Sequence, residues 1–165
     1  MREISKGNDM RRDTKKCGAA VVLCFGLIAN YAHAAEDSYP AHEVAVATGV
    51  AWNDSKSANF AGIEYEYRKN ASWGFGGLYE TTWRGFDLEI VAAQVNYYPT
   101  QDWRLFAGAG VDRKLKVRKN KALARFGAGY LIPVGKVVIT PLLYIDWVED
   151  NSTVTYLGFS VGFHL

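Results

Sequence analysis

The C-terminal stretch constrains the fold of this chain more than any other feature. Leu157, Phe159, Val161, Phe163 and Leu165 alternate strictly with Gly158, Ser160, Gly162 and His164. Period-two alternation marks a β-strand, whose successive side chains point to opposite faces. The unusual part is which face is large. A half-exposed soluble strand turns its bulky residues to a core and its charges to water. Here the face opposite the bulky row carries glycine and small polar residues, so the small side is the crowded one and the bulky row meets an apolar surround. No run in residues 35–165 approaches 18 apolar residues, which excludes helical membrane spans and leaves strands as the means of crossing a bilayer.

The pattern recurs along the chain. Val44–Trp52 is one strand, and Phe60–Arg68 sets Ile63, Tyr65 and Tyr67 against Gly62, Glu64, Glu66 and Arg68. Trp73–Trp83 opposes Trp73, Phe75 and Tyr79 to Gly74, Gly76 and Glu80. Phe86–Tyr98 changes phase near Ala92-Ala93, which predicts a bulge. Trp103–Val111, Ala122–Ile132 and Val137–Trp147 follow, with Arg104, Arg125 and Asp146 on their small or polar faces. With the C-terminal strand this makes eight, at about 16 residues per strand and connection, which suits membrane strands of roughly 9–11 residues joined by tight turns.

The connections alternate in character. Lys69-Asn70-Ala71, Pro99-Thr100-Gln101 and Pro133-Val134-Gly135 are short and rich in turn residues. Asn53–Ser57, Arg84-Gly85, Asp112–Lys121 and Glu149–Thr153 form the other set, one of them long. Outer-membrane barrels keep short turns and both termini on the periplasmic side, so the first set is expected there. All five tryptophans, Trp52, Trp73, Trp83, Trp103 and Trp147, fall at strand ends. Amphipathic indoles favour the membrane–water interface, whereas aromatics filling a soluble core have no reason to avoid strand centres.

Residues 1–34 read as a secretory signal: six basic residues (Arg2, Lys6, Arg11, Arg12, Lys15, Lys16), an uncharged core from Cys17 to Ala29, and Ala32-His33-Ala34 as the cleavage site. Met10, directly before Arg11-Arg12, is a second candidate start. Residues 35–165 then form one domain with thirteen Lys/Arg against fourteen Asp/Glu, so the overall +2 charge belongs to the leader. A globally basic nucleic-acid binder is excluded. Both cysteines, Cys17 and Cys24, leave with the leader, so no disulfide or thiolate metal site is expected.

At this point the chain resembles the small eight-stranded outer-membrane β-barrel families of Gram-negative bacteria, of the OmpA-barrel/OmpW-like porin-family type. The carriers are Tyr97-Tyr98-Pro99-Thr100, Leu105-Phe106-Ala107-Gly108-Ala109-Gly110, Phe126-Gly127-Ala128-Gly129-Tyr130, Thr140-Pro141 and Gly158-Phe159-Ser160-Val161-Gly162-Phe163. The resemblance implies an up-and-down antiparallel transmembrane barrel in the outer membrane, inserted by the barrel-assembly machinery. Such families usually end in an aromatic residue; this chain ends in Leu165, with Phe163 two positions earlier.

An eight-stranded barrel has an interior just wide enough for its own side chains. The inward set Glu64, Glu66, Arg68, Glu80, Arg104, Arg125 and Asp146 is nearly charge-balanced, and buried charges persist when paired and hydrogen-bonded. A plug of ion pairs is therefore expected; a narrow channel for small or hydrophobic solutes is the alternative. Some resembling barrels are lipid A deacylases or palmitoyltransferases, so a lipid A-modifying enzyme is a further alternative. A hydrolase needs a nucleophile, a base and an orienter, and no Ser–His pairing lies on a lipid-facing outer rim. His42 and His164 fall at the opposite, periplasmic rim and read as interfacial residues. No catalytic residue, metal site or cofactor is expected. Arg113-Lys114-Leu115-Lys116-Val117-Arg118-Lys119-Asn120-Lys121 is the most unusual segment, with six charged side chains of one sign in an outer loop over the phosphate layer of lipopolysaccharide. Clustered Lys and Arg bind phosphate, which makes Arg113, Lys114, Lys116, Arg118, Lys119 and Lys121 candidate lipopolysaccharide contacts; a solvated loop explains the same composition. The oligomeric state is not legible.

Overall fold

The computed structural model describes residues 41–54, 56–114 and 119–165. The expected leader, residues 1–34, and the loop residues Lys116 and Arg118 lie outside the described residues, and so do the side chains of Lys114 and Lys119. The chain forms β1 (His42–Asn53), β2 (Lys56–Arg68), β3 (Trp73–Trp83), β4 (Leu88–Tyr97), β5 (Trp103–Lys114), β6 (Lys119–Tyr130), β7 (Ile132–Val134), β8 (Val137–Val148) and β9 (Thr153–His164). β6 and β7 are two stretches of one barrel strand. Both pair with β8 in one register, from Leu123↔Val148 to Gly129↔Leu142 and again from Ile132↔Ile139. The ladder breaks beside Pro141, which has no N–H to donate; on the opposite side the Leu131 N–H continues the β5–β6 pairing by donating to the Asp102 carbonyl at 2.6 Å. Every pairing is antiparallel, and β1 joins β9 to close an eight-stranded barrel without edges.

Alternation places the bulky row outside. Val91, Phe126 and Leu143 are each more than half exposed, at 60%, 57% and 54%, in the middle of their strands. Apolar side chains in that position match a lipid surround. All five tryptophans are exposed at strand ends. At the end where the described chain starts and finishes, hereafter the terminal end, Trp73 packs on Tyr97 at 4.8 Å and Trp103 on Tyr130 at 5.3 Å between ring centroids. Trp52, Trp83 and Trp147 ring the far end.

Two glycines face each other on the closing seam. Gly49 pairs with Gly158 across β1 and β9, and the Phe60 ring from β2 lies over both, so a Cβ on either would come within 2.8 Å of that ring. Phe60 is fully buried and meets Tyr156 and Tyr144 edge-on at 5.4 and 5.9 Å. Ala51, Ile90, Leu123, Val148 and Val154 complete an apolar cluster with these rings.

The structure corrects three sequence expectations. β4 carries no bulge at Ala92-Ala93: its register with β3 and β5 is unbroken, and Leu88, Ile90, Ala92, Gln94 and Asn96 all point inward. The apparent phase change arises because the inward face is apolar toward the far end and polar toward the terminal end. The Asp112–Lys121 connection is mostly strand, since β5 runs to Lys114 and pairs with β6 from Lys119. Pro133 and Val134 belong to β7, and the turn sits at Gly135, whose φ of 62° suits glycine.

Candidate functional site

The lumen holds two polar layers. In the first, toward the terminal end, the Arg104 guanidinium donates from Nη1 to Glu64 Oε1 at 3.0 Å and from Nη2 to Glu64 Oε2 at 3.5 Å, while Nη1 stands 3.6 Å from Glu66 Oε2. The Gln94 amide donates to Glu64 Oε1 and, at 3.3 Å, to Asn96 Oδ1. The Tyr98 hydroxyl lies 2.7 Å from both oxygens of Glu66. The phenol is the donor in both, because an ionised carboxylate can only accept. Arg68 closes this end, 4.0 Å from Glu66 and stacked 3.6 Å over the Tyr98 ring.

The second layer is built on Arg125. Its Nε and Nη2 each donate at 2.6 Å to the two oxygens of Asp146, and Nη1 and Nη2 reach Glu80 at 3.1 and 3.3 Å. The Tyr144 hydroxyl donates to Glu80 Oε2 at 2.6 Å. The guanidinium lies 4.3 Å from the centroid of Tyr144 and 5.4 Å from that of Tyr156, and the two tyrosines stack on each other at 4.4 Å. All these polar groups are buried. Low-dielectric surroundings reward such pairing only when every lone pair and proton finds a partner. Gly127 makes room for this layer, since a Cβ there would overlap Phe106 and Tyr144.

The structure therefore brings Glu64, Glu66, Arg68 and Arg104 into one layer and Glu80, Arg125 and Asp146 into the other. Sequence reading missed their neutral partners Gln94, Asn96, Tyr98, Tyr144 and Tyr156, and buried Asp112, which faces Lys121 across the β5–β6 ladder. The inward parity of Tyr144, beside Thr140 and Asp146, was readable from its strand; which side chains lie level with the charges was not.

At the far rim the basic segment is partly committed. Arg113 stands 4.0 Å from Glu89, which also accepts from Tyr79 at 3.2 Å. Lys121 pairs with Asp150 of the β8–β9 turn, and its side chain is only 11% exposed. Of the two described side chains among the candidate contacts, Arg113 is open to the outside and Lys121 is turned into the barrel mouth. His42 and His164 sit on adjacent strands, His42 bonded to the Tyr65 hydroxyl at 2.7 Å and His164 3.2 Å from Glu43. Among the described residues no group of three or more metal-ligating side chains occurs.

Neither a protein-family model nor a curated protein matches the chain. Solved structures do match in fold. A de novo designed transmembrane β-barrel aligns with a TM-score of 0.57 at 16% identity, over 76% of this chain and 98% of that one. Neisserial surface protein A aligns at 0.50 with 15% identity, over 75% and 96%. The N-terminal β-barrel domain of Pseudomonas aeruginosa OprF aligns at 0.50 with 15% identity, over 73% and 97%. The fold is the small eight-stranded transmembrane β-barrel of outer membranes.

Proposed function

We propose that the chain is a non-catalytic outer-membrane barrel with a structural or surface-interaction role, whose basic β5–β6 tip contacts lipopolysaccharide phosphates. Residue patterns around Tyr97–Thr100 and Leu105–Gly110, which resemble those of OmpA-barrel/OmpW-like porin-family proteins, support this reading. Its terminal end faces the periplasm, its partners are outer-membrane lipid and, during insertion, the barrel-assembly machinery, and its filled lumen argues against solute passage. The observation that carries the reading is the density of Lys and Arg from Arg113 to Lys121 at the far end of a wall with an apolar exterior. Lys and Arg attract phosphate by charge, and that attraction is screened over roughly 8 Å at physiological ionic strength.

The test replaces Lys114, Lys116, Arg118 and Lys119 together with Gln and measures binding to lipopolysaccharide vesicles at low and physiological salt. Exposed charges contribute about 0–1 kcal/mol each, so single changes are nearly silent and the quadruple variant weakens binding and flattens its salt dependence. Lys121→Gln is the internal control, because its ammonium is already engaged by Asp150. A quadruple variant that folds, by heat-modifiable gel mobility, and binds as tightly as the wild type at low salt leaves the tip merely solvated.

A further inference from the structure

Between the two polar layers the lumen leaves a small cavity of about 20 Å³, lined by Glu64 and Gln94, Arg104 and Phe106 on one side and by Glu80, Arg125, Tyr144 and Leu78 on the other. Two polar atoms of its lining residues have no hydrogen-bond partner among the described residues: the carbonyl oxygen Oε1 of Gln94 and the Nε–H of Arg104. Both side chains are 4% exposed. One is an acceptor and the other a donor, and the remaining groups of each are spent on Glu64 and Asn96. A buried donor or acceptor left unmet gives up its hydration and gets nothing in return.

We propose that this cavity is a binding site for one internal water molecule, which joins the two ion networks into a single hydrogen-bonded plug. The volume suits one water, which needs about 10–15 Å³ and two to four polar partners. The donor and acceptor pattern selects the ligand. The Arg104 Nε–H requires an acceptor, which excludes ammonium and bare cations. Gln94 Oε1 requires a donor, which excludes halide. A water accepts from Arg104, donates to Gln94, and keeps its second hydrogen for the carboxylate of Glu80 across the cavity. The consequence is a lumen that is hydrated at one fixed point and closed to bulk flow.

The chain supplies its own reporter, because it contains only two glutamines, Gln94 in the cavity wall and Gln101 in an exposed turn. With glutamine side chains labelled by nitrogen-15 in the full barrel in lipid nanodiscs, transfer from water to each side-chain amide is recorded in laboratory and rotating frames. A bound water gives Gln94 laboratory- and rotating-frame peaks of opposite sign, the signature of long residence, while Gln101 shows only fast exchange with bulk. Arg104→Lys keeps the charge opposite Glu64 but removes the Nε–H, and is expected to shorten the residence at Gln94 at least tenfold. Leu143→Val, on the outer face of β8 and outside the cavity wall, leaves the signal in place. Two results overturn the proposal. One is a wild-type barrel with a resolved Gln94 amide and no long-lived water peak. The other is an Arg104→Lys barrel that folds and keeps the wild-type residence. If Arg104→Lys does not fold, the wild-type measurement decides alone.

Discussion

The two lumen layers solve one problem in different ways. Around Arg104 two carboxylates, Glu64 and Glu66, meet two guanidiniums, and the layer opens toward the terminal end through Arg68. Around Arg125 two carboxylates meet one guanidinium, and the remaining acceptor sites are filled by the Tyr144 hydroxyl while aromatic faces cover the cation. The first layer is balanced by charge and sits near water. The second, deeper layer is balanced by geometry, with all three guanidinium nitrogens engaged. Burial raises the value of each partner and also the penalty for removing one. Depth therefore trades spare cations for exact hydrogen bonding.

The sharpest way to break this contrast is to remove each cation in turn. Arg125→Met strands Glu80 and Asp146 together and is expected to destabilise the barrel by about 3–5 kcal/mol, the usual result of breaking a buried pair. Arg104→Met leaves Arg68 beside Glu66 and is expected to cost about 2–3 kcal/mol, between buried and surface values. Urea unfolding in lipid vesicles checks both, and an equal or reversed order would end the distinction between the layers. Phe126 tests the other face of the same strand, one residue from Arg125. Phe126→Arg carries a charge into the lipid face and is expected to cost about 2–4 kcal/mol near the midplane; if it is tolerated, the exterior is not lipid-facing. The smallest effects separate the tyrosines. Tyr144→Phe is expected to cost about 2 kcal/mol and Tyr98→Phe about 1.5 kcal/mol, within the range for hydrogen bonds to charged groups. The same titrations measure them, and the contrast is sharpened if the Tyr144 loss shrinks when Arg125 is already replaced.

How much of this was legible in the sequence depends on what each feature rests on. The strands, their faces and the tryptophan rims follow from alternation, which is local; Trp73–Trp83 coincides with β3 residue for residue. The inward charges were legible for the same reason. Their division into two layers was not, because it depends on stagger between strands far apart in sequence: Arg125 reaches Glu80 across 45 residues and Arg104 reaches Glu64 across 40. Composition also misled at two places. A turn-like run of charges at Asp112–Lys121 concealed two strand ends, since Asp112 and Lys121 face inward and find partners there. Phe86–Tyr98 read as shifting phase near Ala92-Ala93 because an apolar lumen wall and an apolar exterior look alike when a strand has both.

Among the described residues, with β6 and β7 counted as one strand, every strand pairing except β1–β9 joins neighbours in the chain, so zipping these hairpin-like seams costs only short loop closures. The Gly49–Gly158 seam joins the two ends of the domain and is the sole long-range event, the kind that dominates folding time. Phe60 can settle over that glycine pair only after the ends have met. The ring then works as a latch: the seam cannot part again without first lifting an aromatic side chain out of the tyrosine stack. Assembly and resistance to disassembly are thereby assigned to different events, closure being timed by the chain ends and retention by a side chain from the next strand.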